Sequence, residues 1–429
     1  LAKANNRTFY LLLGVYVVLI ALSAVTSYSY PQYRFSGSGL IFLVGIGGSL
    51  TALCGRGRII RRRDWIVAGV IACLALLSFP STSRDYLRYL FDGEMIRLWH
   101  ISPYIHLPGQ FAPDQYSRLF AGYWWTSIPS PYGPLWQALM ASINAVSGNQ
   151  LIPGIIALKL VNLIGLGLSA RYIYLISGRA WMSWAFAINP VIILNTLATP
   201  HADILLAAAV LAAWHYRMDR RSGILLGAAA LIKPYTFLFM PFERRSVGVW
   251  RVFAWGVVTS VLMLTALRPL VHFEFTSMIR ASLGGSLSIT DSLFMHSLFP
   301  TASIQQLSVL SVALFTALYI VLLVSFWRGY ICGLSATALA SLLVPVCLTG
   351  LLLPWHFIIS IALLSVLDHR FARWTLLFLT ITVLRSAVTV TELLGLAALF
   401  CACGWTIHRL AASMAAPPKY LTRFIELLS

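Results

Sequence analysis

Runs of about 20 apolar residues, long enough to cross a bilayer as helices, recur along almost the whole chain. They lie near 8–28, 38–54 and 65–79, and again near 152–176, 180–198, 201–216, 248–267, 303–326, 331–350, 353–367, 371–388 and 391–410. Apolar residues fill every face of these runs and do not alternate with polar ones. The pattern therefore predicts helices and not the strands of a membrane barrel. Two segments depart from it. Residues 132–147 are short for a span and are expected to lie along the membrane interface. Residues 223–241 carry Lys233-Pro234 at their centre, which predicts a broken or re-entrant segment lining a cavity. The predicted fold is all-α: a polytopic membrane protein with about twelve full crossings plus interfacial and re-entrant helices.

The polar residues between the runs give the topology. The stretch GRGRIIRRRD, with Arg56, Arg58, Arg61, Arg62 and Arg63, marks a cytoplasmic loop. The N-terminal Lys3 and Arg7 then lie on the same side, and the third span delivers residues 80–131 to the far side. Both chain ends are expected to be cytoplasmic. The first run reads as a retained anchor and not a cleaved signal, because its apolar core is long and further spans follow. One integral membrane domain over 1–429 is expected. Within it, 80–131 forms a large non-cytoplasmic loop, 132–360 a transmembrane core, and 361–429 the last helices and a cytoplasmic tail.

The loop differs from the rest of the chain. Besides several prolines, it holds Asp85, Asp92, Glu94 and Asp114, four of the thirteen acidic residues. Trp99, Trp124 and Trp125 suit an interfacial position. Residues 84–99 read as a short amphipathic helix lying on the membrane. On this topology the loop shares one face with the turn 199–203, the loop 268–300 and residues 351–356. Arg385 falls near that face.

Composition narrows the classes. Hydrophobic residues make up 59% of the 429 and charged residues 10%, with a mean hydropathy of +0.81. Soluble domains carry roughly 25% charged residues, so a soluble fold is excluded. The net charge of +18 is accounted for by arginines between spans, and no basic soluble domain exists to bind nucleic acid. The six cysteines all fall in or at the edges of apolar runs, and none forms a CxxC pair, so neither a disulfide framework nor a metal knuckle is indicated.

Several residues could carry chemistry. Asp85 and Asp92 are two turns apart, on one helix face. Such a pair suits general base work; it equally suits solvated ion pairs of Asp85 with Arg84 or Arg88 and of Asp92 with Arg88. His201 and Asp203 open a span, where an Asp is often only a cap. Lys233 sits in an apolar segment. A lysine there points to an anion, phosphate above all, or else to a local carboxylate or a snorkelling side chain. Arg385 and His356 are weaker candidates of the same kind. No ligand cluster demands a metal.

Taken together, these stretches resemble the GT-C glycosyltransferases that use polyprenyl-phosphate sugars, and bacterial polyprenyl-phosphate-mannose-dependent mannosyltransferases in particular. RDYLRYLFDGEMIRLWHISPY (84–104) is similar to a loop motif D-x-x-R-Y-x-x-D-G followed by G-x-N-P-Y, with His100-Ile101-Ser102 departing from Gly-x-Asn. SPYGPLW (130–136) looks like a Y-x-P-L element. INPVIILNTLATPHAD (188–203) resembles an N-P…G-H-x-D stretch with Pro200 in place of Gly. GAAALIKPYTFLFMP (227–241) looks like an A-x-x-x-K-x-x-P segment. LLLPWHF (351–357) is similar to a P-W-Y element with His356 replacing Tyr.

The resemblance implies an inverting transfer, without cofactor or metal, from a polyprenyl-phosphate sugar to a glycan or lipid-linked acceptor. The sugar would be a mannose or another hexose or pentose. Asp85 would deprotonate the acceptor, with Asp92 as the other candidate base. Lys233 would hold the leaving phosphate, with Arg385 as a second cation. Asp92, His201, Asp203 and Tyr132 would shape the acceptor side, and Tyr104, Arg88 and His356 join the expected site. Surrounding membrane lipids and a monomer in a bacterial cytoplasmic membrane, its site facing the periplasm or cell exterior, complete the expectation. A polytopic transporter or flippase of a lipid-linked glycan is the alternative; it predicts inverted repeats with broken helices in matching halves.

Overall fold

The computed structural model describes residues 6–29, 38–54, 59–80, 82–111, 124–217, 219–242, 248–279, 304–348 and 353–367. Every regular element among them is helical. In chain order the α-helices are α1 (Asn6–Ser29), α2 (Ser38–Cys54), α3 (Arg62–Leu77), α4 (Asp85–Arg97), α5 (Pro134–Ser147), α6 (Leu151–Ser177), α7 (Ala180–Ala187) and α8 (Pro190–Ala198). They continue as α9 (Asp203–His215), α10 (Arg220–Ala230), α11 (Gly248–Val271), α12 (Ile304–Trp327), α13 (Gly333–Leu343) and α14 (Ile358–Val366).

Four helices are long and apolar enough to cross a membrane: Asn6–Tyr28, Leu151–Ser177, Gly248–Val271 and Val309–Trp327. The pair α7 and α8, bent by 47°, makes a fifth if taken as one span. Twelve full crossings are therefore not found among the described residues. Proline, asparagine and π turns divide several apolar runs into helices of 9–13 residues, too short to cross alone. The runs expected at 371–388 and 391–410, and with them Arg385 and the C-terminal tail, lie outside the described residues.

The long helices show what a bilayer requires. Leu11, Val15, Val18, Leu22 and Val25 form one exposed stripe along α1, while Phe9, Leu13, Tyr16 and Ile20 pack inward. Both faces are apolar, as in a helix with protein on one side and lipid on the other. α11 likewise exposes Trp250, Phe253, Val258, Val261 and Leu262.

α4 behaves differently from its expectation. Each residue from Asp85 to Ile96 is buried, so it has no exposed polar face and does not lie open on the surface. It runs through the protein, packed chiefly on α5. The contact is close because residue 93 is Gly: a Cβ there would come within 2.4 Å of the Met140 carbonyl oxygen. Its charges are tolerated because they face partners inside. Arg88 Nε lies 2.6 Å from Asp92 Oδ1, with both side chains 1% exposed. The sequence places this pair correctly as i,i+4, but it is buried and not solvated.

The segment around Lys233 is broken as expected. α10 ends at Ala230, and a 3-10 helix begins at Pro234, whose missing N–H and ring geometry disfavour a continued α-helix. The break leaves main-chain carbonyls to be satisfied. Gly133 N donates to the Ile232 carbonyl at 2.9 Å, and Leu135 N to the Leu231 carbonyl at 3.0 Å. The start of α5 is thereby sewn to the break. A Cβ on residue 133 would stand 2.2 Å from the Leu231 oxygen. Gly133→Ala should therefore destabilise the protein by about 1–3 kcal/mol, the usual cost of overpacking. A lower melting temperature than wild type in detergent is the check. Gly69→Ala, with nothing within 4 Å, should leave it unchanged.

Candidate active site

The turn between α8 and α9 carries the site's centre. Asn189 caps α8, its side chain accepting from Val191 N at 2.9 Å, with Pro190 at the first helical position. The helix closes in a π turn, Leu194–Ala198, and the chain then turns through Thr199, Pro200 and His201. Asn162, buried on α6, fixes this turn by donating from Nδ2 to the carbonyls of Thr196 and His201, each at 3.0 Å. His201 is thus held from behind by its own main chain.

His201 is fully buried and stacks on Trp355, with ring centroids 3.9 Å apart and planes 10° from parallel. Its Nδ1 lies 3.6 Å from Asp85 Oδ2 and 3.4 Å from the Tyr89 hydroxyl. Its Nε2 has no hydrogen-bond partner among the described residues. Asp85 is the first residue of α4, where its main-chain N–H donates to Ser83 Oγ at 3.1 Å. A carboxylate at a helix N-terminus is favoured by the helix dipole. Tyr89 stands one turn further along the same face, and its ring packs edge-on against Tyr132 at 4.9 Å. Burial pushes the Tyr89 phenol well above its usual value, with Tyr132 and the Asp85 charge adding to the rise. The Tyr132 phenol is raised by burial and then by Asp85. Both remain neutral hydroxyls near neutral pH.

Two residues after His201, Asp203 opens α9, also fully buried. It does more than cap. Lys233 Nζ donates to both its oxygens at 2.8 Å, and the Tyr235 hydroxyl to Oδ1 at 3.3 Å. Lys233 therefore has a carboxylate partner, thirty residues away along the chain. Its side chain is still 13% exposed, and an ammonium has three protons to donate.

Asp92 is placed elsewhere. Besides Arg88, it accepts from Gln137 Nε2 at 3.0 Å, while Gln137 also donates to Ser130 Oγ at 2.6 Å. Arg88 reaches the Ile128 carbonyl at 2.9 Å, and the Tyr104 hydroxyl donates to the Tyr132 carbonyl at 2.9 Å. These contacts tie the returning loop, 128–132, to α4. Asp92, Arg88, Gln137 and Tyr104 hold the wall of the site. His356 follows the stacked Trp355, its ring 5.9 Å from the indole. Among the described residues, no three His, Cys, Asp or Glu side chains gather as a metal site requires.

All five sequence stretches singled out above thus converge. Asp85 meets His201, His201 meets Trp355, Asp203 meets Lys233, and the start of α5 seals the break beside Lys233. His201, which meets Asp85, and Asp203, which meets Lys233, stand two residues apart in the chain.

Sequence reasoning missed several members. Tyr89 is four residues from Asp85, which alone puts it on the same helix face. Asn162 and Gln137 carried no local signal. Lys159 carried the same signal as Lys233, a lysine inside an apolar run. It is 2% exposed and donates to the carbonyls of Ala75, Leu76 and Ser78 at 3.3, 3.1 and 2.5 Å. Its amine satisfies carbonyls at the C-terminus of α3, from which the chain leads into Asp85.

Comparison with known proteins gives the family. The profile described as "Alpha-(1->6)-mannopyranosyltransferase, N-terminal domain" matches residues 19–249, more than half of the chain. A probable alpha-(1->6)-mannopyranosyltransferase of Mycolicibacterium smegmatis is 27% identical over 194 residues, covering 44% of this chain and 34% of that protein. Alpha-(1->6)-mannopyranosyltransferase B of Corynebacterium glutamicum is 23% identical over 192 residues, 39% of this chain and 31% of the relative. Alpha-(1->6)-mannopyranosyltransferase A of Mycobacterium tuberculosis is 25% identical over 256 residues, 53% of this chain and 48% of the relative. The matches span about a third to a half of the length of these relatives. No solved structure matches the chain. The matched region contains Asp85, Asp92, Tyr132, His201 and Asp203 with Lys233, and the chain belongs to the alpha-(1->6)-mannopyranosyltransferase family.

Proposed function

We propose that this chain transfers mannose from a polyprenyl-phosphate donor to a hydroxyl of a glycan acceptor, with inversion, forming an α-(1→6) linkage. The observation that carries the reading is the convergence of Asp85 and Lys233 on the two residues His201 and Asp203. A glycosyl transfer of this kind needs a base for the incoming hydroxyl and positive charge for the departing phosphate, a short distance apart.

Asp85 takes the proton of the acceptor hydroxyl as its oxygen bonds to the anomeric carbon. The bond from that carbon to the phosphate oxygen breaks, and the phosphate leaves with the electron pair. Lys233, held by Asp203, directs its remaining proton at the phosphate, and Arg385 is a second cation for it. His201 keeps the Asp85 carboxylate oriented. Asp92 acts through Arg88 as a positioning residue and not as a base, because its oxygens are taken by Arg88 and Gln137. Tyr132 and Tyr89 offer neutral hydroxyls to sugar oxygens. The site opens to the non-cytoplasmic side of a bacterial cytoplasmic membrane, with about twelve crossings and both ends inside.

The direct test incubates the purified full chain with labelled polyprenyl-phosphate mannose, glucose and arabinose in turn, each with an α-mannan acceptor. Mannose alone should appear in the glycan. Transfer of glucose or arabinose in its place, or of none of the three, would refute the assignment.

A further inference from the structure

A second polar site lies at the opposite end of α4. Asp85 opens the helix and Arg97 closes it, about 18 Å further along at 1.5 Å per residue. There a cavity of about 470 Å³ opens between α4, α5 and the end of α11, lined by Arg97, His100, Ser142, Ala145, Leu270 and His272 among others. Its polar lining is basic. Arg97 donates to Asn144 Oδ1 at 3.1 Å, and among the described residues no carboxylate pairs with it. The rings of His100 and His272 face each other edge to face, 5.8 Å apart.

Two features mark the pair of histidines as more than surface residues. Both sit in the left-handed backbone region, His100 at φ 53° and His272 at φ 50°. Side chains with a Cβ seldom occupy that region, and strain of this kind gathers at ligand sites. His100 also stands where the resembled loop motif has Gly, the residue that adopts such a φ freely. The remaining lining is apolar. Leu270, 47% exposed, ends a helix long and apolar enough to cross a membrane, and Val146 beside the cavity on α5 is 85% exposed. A cationic pocket with an apolar flank at the end of a span suits a lipid phosphate better than a freely dissolved anion.

We propose that Arg97, His100 and His272 form a binding site for the phosphate of an anionic membrane lipid, with its acyl chains along Leu270 and the exposed face of α11. The site is separate from the Asp85–Lys233 centre, and its test does not read transfer.

Full-length protein in a neutral maltoside detergent is titrated with dioctanoyl phosphatidylglycerol, with dioctanoylglycerol and with inorganic phosphate, and its melting temperature is followed. Phosphatidylglycerol should raise the melting temperature saturably, while dioctanoylglycerol at the same concentrations should not. Arg97→Gln should raise the half-saturating concentration about tenfold or more, the factor expected for a lost charge-assisted hydrogen bond. Ala145→Trp, which fills the cavity and keeps Arg97 and both histidines, should do the same. His100→Gly should separate binding from folding: relief of the backbone raises the melting temperature of the lipid-free protein while lipid affinity falls. An unchanged half-saturation in Arg97→Gln or in Ala145→Trp would overturn the site. Equal stabilisation by dioctanoylglycerol would overturn the role of the phosphate. Inorganic phosphate acting at the same concentration as the lipid would overturn the lipid as its source.

Discussion

Asp85→Asn should lower the rate of mannosyl transfer by about 10²–10⁴-fold, the usual contribution of a positioned base. The substitution keeps the shape of the side chain. The main-chain hydrogen bond to Ser83 survives it, and an amide still meets His201 across 3.6 Å. Expression, insertion and melting temperature should therefore stay near wild type, so the loss reads out chemistry and not folding. Asp92→Asn provides the contrast. It breaks the buried ion pair with Arg88, and the main effect should be a loss of stability, of about 3–5 kcal/mol for a broken buried pair. The two carboxylates are thus separable by one comparison of rate and melting temperature. Full activity in Asp85→Asn would remove it as the base.

Lys233→Ala should be costly twice. Asp203 is fully buried and would lose the ammonium that contacts both its oxygens, again about 3–5 kcal/mol. Donor use should fall as well, because the cation for the leaving phosphate is gone. The double variant Lys233→Met with Asp203→Leu divides these effects. Exchanging a buried ion pair for apolar residues of similar volume is often neutral, so the melting temperature should recover. Transfer should not recover with it. If the double variant regains both, the pair is architectural and the phosphate is held elsewhere.

Much of this architecture is legible in the residue pattern, for reasons that can be named. A bilayer admits few backbone solutions, so long apolar runs read directly as helices, and α1, α6, α11 and α12 follow. Pro234 announces the break beside Lys233 because proline lacks the N–H that a helix interior needs. The i,i+4 spacing of Arg88 and Asp92 gives their pairing. What the pattern leaves out is burial and distance. α4 carries enough charge to read as a surface helix, yet Asp92 is met inside the protein by Arg88 and Gln137 and Glu94 by Asn149, and nothing local reveals the two amide partners. The Asp203–Lys233 pair spans thirty residues and belongs to the tertiary fold. Among the described residues not every apolar run forms one long helix, because Asn189-Pro190 and the π turns cut some runs into shorter pieces.

The proposed transfer requires the Asp85 base and the Lys233 cation to face one substrate. A structure of the full chain with a non-transferable phosphonate analogue of polyprenyl-phosphate mannose tests it most directly. The phosphonate oxygens should lie in hydrogen-bond reach of Lys233 Nζ, with the anomeric carbon turned towards Asp85. A phosphonate seated away from Lys233, or a mannose ring whose anomeric carbon Asp85 cannot approach, would contradict it.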